Sequence, residues 1–151
     1  DHCCGNELFP WARFLVQRRE LRYAGAPLPW NAQSYDSFLL GLKPAWASIP
    51  FQVLDGDTQL MEGLRVLLLP GHTPGIQCVL AEAETGPYLL ASDNVPFYDN
   101  WEGKPPHLPH IPNNNHYDLS DYYETFRKIE ATGARVIPSH DFRVFDTAVY
   151  R

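Results

Sequence analysis

One stretch limits the fold more than any other. Leu64 to Leu69 is a nearly unbroken apolar run, halted by Pro70-Gly71, followed by His72 and a second breaker pair, Pro74-Gly75. A short apolar run bounded by such breakers predicts a strand covered on both faces, the kind found inside a layered α/β sheet. Proline and glycine end it abruptly and hold one imidazole on a stiff loop at the sheet edge. Alone, that histidine is as readily a structural loop residue as a ligand.

The flanking sequence supplies the rest of a sheet. Strands are predicted over 51–54, 58–61, 76–83 and 88–91, separated by the turns Asp55-Gly56-Asp57, Glu62-Gly63 and Glu84-Thr85-Gly86. Asp118 or Ser120 should cap a helix that runs to about Thr132 and ends at Gly133, with Leu119, Tyr122, Phe126 and Ile129 on its buried face. A short strand over Arg135 to Ile137 follows. Upstream, 12–17 alternates as a half-buried strand, 18–24 is a short helix ending at Gly25, and 25–48 is a long loop with a short helix around Asp36 to Leu42. Residues 94–118, rich in proline, asparagine, histidine and aromatics, are predicted as irregular loop.

Composition removes several function classes. The formal net charge of -6 over 151 residues argues against a nucleic-acid partner, and no apolar run reaches the ~20 residues of a membrane helix. Cys3, Cys4 and Cys78 make a poor disulfide framework, which favours a reducing compartment, the cytoplasm. The opening Asp1-His2-Cys3-Cys4-Gly5-Asn6, without an initiating methionine, reads as a truncation or one fragment of a longer chain.

Three predicted strands each finish in a potential metal ligand: His72, Asp93 and His140, the last within Pro138-Ser139-His140-Asp141. Ligands at the ends of neighbouring strands converge on one sheet edge, where α/β folds place their chemistry. Asp1-His2 adds another carboxylate and imidazole. Imidazole with carboxylate is the donor set of hydrolytic zinc.

These residues resemble the metal motifs of the metallo-β-lactamase superfamily. Asp1-His2 matches the end of its H-x-H-x-D-H motif, Pro70 to Gly75 the third motif, Ser92-Asp93 the bridging aspartate, and Pro138 to Asp141 the last histidine. The resemblance implies an αβ/βα sandwich, of which residues 1–151 would be roughly the C-terminal part, as one partial domain. It implies two zinc ions (other divalent metals being admissible), with His72 on the first, Asp93 bridging, and Asp1, His2 and His140 on the second. The first ion's other two histidines would lie upstream, so residues 1–151 alone are expected to bind metal poorly and to be inactive. A missing N-terminal segment or a second copy is then expected to cover exposed apolar surface.

Within the superfamily, the stretches Phe9 to Glu20, Leu54 to Asp57 and Pro70 to Gln77 are most similar to N-acyl homoserine lactonases. This implies opening of a lactone by a bridging hydroxide, with Asp93 and Asp1 in the catalytic set. Those lactonases carry a substrate-contacting tyrosine three positions after the bridging aspartate. Here that position is Pro96, and Tyr98 is the candidate. Phe97 and Trp101, like Trp30 and Trp46, either wall an acyl pocket or seal the core. Other hydrolyses on the same fold (a thioester, as in glyoxalase II, or a β-lactam) are the rival activities, and a non-catalytic fragment the rival class. His107, His110 and His116 are expected to be solvated or capping residues, and Cys3 and Cys4 non-ligands.

Overall fold

The apolar run at 64–69 forms a strand with a neighbour on each side. The structure, a computed structural model, describes residues 2, 5–36 and 40–151, in two units, 1–55 and 56–151.

In the second unit, strands β3 (Thr58–Met61), β4 (Leu64–Leu68), β5 (Gln77–Ala81), β6 (Tyr88–Leu90) and β7 (Arg135–Ile137) form one sheet in that order. The first four pair antiparallel, and β7 joins β6 in parallel. Strands β4, β6 and β7 therefore run the same way, and their C-terminal ends share one edge. A parallel neighbour requires a crossover, which here carries α2 (Tyr98–Glu102) and α3 (Leu119–Thr132).

In β4 the successive residues Val66 and Leu67 are both buried, as expected of a strand covered on both faces. Cross-strand register places Leu80 opposite Leu89, and Leu89 opposite Val136. These side chains meet Leu67, Leu69, Cys78, Ala91 and Val95 in a core closed by Tyr122, Phe126 and Ile129 of α3. Each fully buried aliphatic side chain contributes roughly 1.5–3 kcal/mol.

Helix α3 begins and ends as its sequence dictates. The Asp118 carboxylate accepts from Ser120 N at 2.7 Å and Asp121 N at 2.9 Å, and Gly133 terminates the helix in the left-handed region at φ 64°. Leu119 is not on the buried face. Burial starts one turn later, at Tyr122, where the helix meets Gly71, and Leu119 ahead of that contact stays 54% exposed. Lys128 ties the helix to the sheet, donating to Asp57 Oδ1 at 2.7 Å and Leu68 O at 3.1 Å.

The first unit pairs β1 (Leu15–Gln17) with β2 (Gln52–Leu54) in parallel, and α1 (Arg18–Gly25) follows β1 directly. The strand expected over 12–17 is confined to its last three residues. In the segment expected as loop, 3-10 turns form at Pro29–Tyr35, started by the fixed φ of Pro29, and at Ala45–Ser48. Residues 37–39, within the helix expected around 36–42, lie outside the described residues. Among the described residues no helix is long and apolar enough to cross a membrane.

Candidate metal centre

His72 leaves the end of β4 on a loop that only glycine permits at its base. Gly71 has φ 145°, and a Cβ there would stand 2.7 Å from Tyr122 Cγ and 2.8 Å from Tyr122 Cα. The loop is pinned from several sides. Thr125 Oγ1 donates to Pro70 O at 2.6 Å, and the Tyr117 and Asp118 amides donate to Gly71 O at 2.7 and 3.2 Å. Asn94, fully buried, donates through Nδ2 to Leu69 O at 2.7 Å and accepts at Oδ1 from His72 N at 3.4 Å.

Asp93 follows β6 through a sharp reversal. Ser92 has φ 48°, a left-handed conformation costing a non-glycine residue of order 1–2 kcal/mol. Such strain is retained where the surroundings fix the chain. Here the Asp93 carbonyl receives Asn113 Nδ2 at 3.2 Å and the Tyr122 hydroxyl at 3.2 Å, the latter shared with Asn94 O at 3.0 Å. Burial raises the Tyr122 phenol well above its ordinary pKa, so it remains a donor.

The carboxylate of Asp93 divides between two imidazoles. Oδ2 faces His72 Nε2 at 3.7 Å, and Oδ1 lies 3.0 Å from His140 Nε2. Ser139 Oγ also donates to Oδ1, at 2.9 Å. His140 is placed at the end of β7 by backbone bonds from Ser139 N to Val95 O and from His140 N to Pro96 O. Asp93 and His72 side chains are 16% and 14% exposed, whereas His140 is half exposed, so the group opens to solvent on the His140 side.

The far nitrogen of His72 is committed. Nδ1 lies 2.6 Å from Asn115 O, a group that only accepts, so Nδ1 carries hydrogen. The other ring nitrogen, Nε2, is thereby turned toward the carboxylate, and nitrogen with oxygen donors is a set that suits zinc.

Asp141, one residue beyond His140, has a different role. It is engaged by the Arg143 guanidinium, with Nη2 to Oδ2 at 2.7 Å, and this bonding holds its carboxyl far below the usual carboxylate range. Its Oδ2 also accepts from Tyr98 N at 2.9 Å. The Tyr98 ring lies under Arg143, 5.0 Å from the guanidinium carbon, and its phenol is raised, first by burial and then by Tyr150. Phe97 is half exposed.

Trp101, for which a pocket wall and a core seal were both open, makes packing contacts. The indole lies against the core and stacks on His110 with ring centroids 4.1 Å apart. His110 is accordingly a structural residue rather than a solvated one, with Nδ1 2.5 Å from Trp101 O and Nε2 3.1 Å from Glu130 Oε1. His116 caps Asn113 O, as expected of it, and His107 is exposed. Asp1, Cys3 and Cys4 lie outside the described residues, and His2 sits exposed in a turn of the first unit. The roles of Asp1 and His2 rest on the motif.

Sequence reasoning missed Asn94, Asn113, Asn115, Tyr122 and Ser139 as supports of this group. Only Asn94 and Ser139 carried a signal, each being adjacent to a motif residue.

No family model matches the chain. Over 107 residues, 70% of the chain, it is 32% identical to an N-acyl homoserine lactonase of a Bacillus species, covering 39% of that protein. It is 31% identical over 153 residues to N-acyl homoserine lactonase AttM of Azorhizobium caulinodans, covering 93% of the chain and 54% of the relative. The chain thus spans about half, or less, of the length of these curated relatives.

Among solved structures, an N-acyl homoserine lactone hydrolase with N-hexanoyl-L-homoserine at its catalytic metal centre superposes with TM-score 0.67. It shares 21% identity, over 97% of this chain and 54% of its own. A dizinc quorum-quenching lactonase with the same product superposes with TM-score 0.60 at 18% identity, covering 89% of this chain and 49% of its own.

Proposed function

We propose that this chain, a homologue of the N-acyl homoserine lactonases with the αβ/βα fold of the metallo-β-lactamase superfamily, forms part of a zinc hydrolase that opens a lactone ring, its substrate an N-acyl homoserine lactone or a related lactone. The reading rests on one observation above all: Asp93 presents one carboxylate oxygen to His72 and the other to His140. That is the arrangement a bridging carboxylate needs between two ions.

His72, Asp93 and His140 would hold the metal. Two zinc ions so held would supply Lewis-acid polarisation of the ester carbonyl and a hydroxide nucleophile at neutral pH. The residues of the chain do the rest. Asp93 faces both histidines, its backbone held by Asn113 and Tyr122. Tyr98, its phenol kept protonated by burial, is the donor proposed for the leaving ring oxygen. Phe97 offers apolar surface to an acyl chain. The domain proposed to do this comprises residues 1–151 with whatever further strands complete the sandwich.

The test is ring opening of N-hexanoyl homoserine lactone, followed as acid release, by zinc-supplemented protein carrying this chain, against a thioester and a β-lactam. Lactone turnover that falls by about 10³ in both His72→Ala and Asp93→Ala is expected. A preference for the thioester or β-lactam, or wild-type turnover in either variant, overturns the reading.

A further inference from the structure

Asn113 belongs to none of the motifs, yet its one carboxamide touches the supports of two of the three converging residues. Nδ2 donates to Asp93 O at 3.2 Å, and Oδ1 accepts from Asn115 N at 3.1 Å. The second bond closes a side-chain turn over 113–115. The Asn115 carbonyl beyond it meets His72 Nδ1 at 2.6 Å. The Asn113 carbonyl faces His116 Nδ1 at 2.9 Å, which fixes the same turn from its other side.

Each contact acts on a different partner. The bond to Asp93 O fixes the peptide that carries the carboxylate, just after the strained Ser92. The turn aims a pure acceptor at His72, which places the ring hydrogen on Nδ1 and leaves Nε2 as the donor atom toward Asp93. Groups that orient a metal-binding imidazole through its far nitrogen set both its tautomer and its ring direction. Asn113 is half-buried, so solvent competes only in part for these bonds.

We propose that Asn113 is a positioning residue for the metal centre: one side chain that sets the His72 tautomer and anchors the Asp93 backbone together. The zinc arm of the proposal rests on the metal-dependent reading above. The tautomer arm does not. A residue that merely capped its loop would add stability and leave the His72 ring unchanged.

The experiment compares wild type, Asn113→Ala and Asn113→Asp in protein carrying this chain, labelled with nitrogen-15 histidine. Imidazole spectra of metal-free protein, taken over a pH series and read at its alkaline limit, give the tautomer. Competition against a chromophoric chelator reads zinc affinity. Wild type should show His72 with hydrogen on Nδ1, and N113A a mixture of tautomers with zinc bound ~10–100-fold more weakly. N113D keeps an acceptor for Asn115 N but no donor for Asp93 O, so it should retain the tautomer and still lose zinc affinity.

An unchanged His72 spectrum in N113A, or equal loss of the tautomer in both variants, overturns the proposal. Should N113A fail to fold, wild-type zinc affinity in N113D overturns it. A wild type that shows the expected tautomer and binds no zinc, with the tautomer lost in N113A and kept in N113D, sinks the metal reading and upholds the positioning of His72. Zinc binding that N113A leaves intact, with its tautomer unchanged, does the reverse.

Discussion

Replacing Tyr122 by Phe isolates the hydroxyl that joins the core to the candidate centre. The ring, 1% exposed and packed 5.2 Å from Phe126, stays in place, and only the oxygen is lost. That oxygen donates to Asn94 O at 3.0 Å and shares its hydrogen with Asp93 O at 3.2 Å. Asp93 O keeps the Asn113 amide, whereas Asn94 O loses the hydroxyl donor. A lost buried hydrogen bond costs about 1 kcal/mol net, and an acceptor deprived of its donor adds about 1 kcal/mol or more, so the expected loss is about 2 kcal/mol. For a chain of this size that lowers Tm by roughly 4–8 °C.

Because burial keeps the phenol protonated far above neutrality, the deficit should be constant from about pH 6 to 9. Thermal and urea unfolding of Y122F, N113A and the double variant measure it. Tyr122 and Asn113 donate to the same carbonyl, so the double variant should lose at least ~0.5 kcal/mol more than the sum of the single losses. A loss below ~0.5 kcal/mol in Y122F, or strict additivity in the cycle, would refute the reasoning.

Gly71→Ala would press a methyl group 2.7 Å from Tyr122 Cγ at a φ of 145°, so its Tm should fall by an amount equivalent to ~3 kcal/mol or more; an unaltered Tm would contradict the close approach. Asp141→Asn tests the Arg143 pair. Its folded-state pKa lies below the ordinary 3.8, so its contribution is fully present above about pH 4 and lost as pH falls through the lower folded value. Asp141→Asn should therefore lower Tm at pH 7 by an amount that shrinks in acid, and a deficit that grows below pH 4 would count against the pair. Cys78 has its thiol pushed up to about 12 by burial, with Sγ donating to Ala91 O at 3.0 Å. Iodoacetamide should label it only after unfolding. Mass mapping of Cys78 in native protein checks this, and rapid native labelling would show an open core.

What the sequence disclosed and what it hid divide along a physical line. Strands and α3 were legible because their signals are local. Apolar runs end at Pro70, Gly63 and Gly86, and Asp118 and Gly133 carry capping chemistry. The convergence of His72, Asp93 and His140 was legible for a topological reason: ligands at the ends of co-directional strands share an edge wherever the strands lie in the sheet. The loop over 94–118 was not legible. Its structure depends on pairings no period records, such as Ile111 N to Asn100 O at 2.8 Å and His110 with Glu130, twenty residues away. Helix α2 was missed because it is one short turn without an N-cap side chain, Phe97 N donating instead to Asn100 Oδ1 at 3.2 Å. The stacking of Trp101 on His110 was not legible either, since nothing in the sequence pairs 101 with 110.

The same limit explains why motif matching finds the acid at 93 but cannot say what distinguishes it from the acid at 141. Both follow a strand end, and both sit within a residue or two of a serine. In the folded chain Asp141 is met by a permanent cation, Arg143, through Oδ1 and Oδ2 together. A carboxylate neutralised in that way has little to offer a metal, because binding one would have to displace a charge-assisted pair of bonds. Asp93 instead meets two imidazoles, groups whose charge is conditional, and a serine hydroxyl. Its backbone carbonyl accepts from the neutral Asn113 and Tyr122. The two carboxylates thus differ in their partners: that of Asp141 meets a permanent cation, and that of Asp93 meets imidazoles and a hydroxyl.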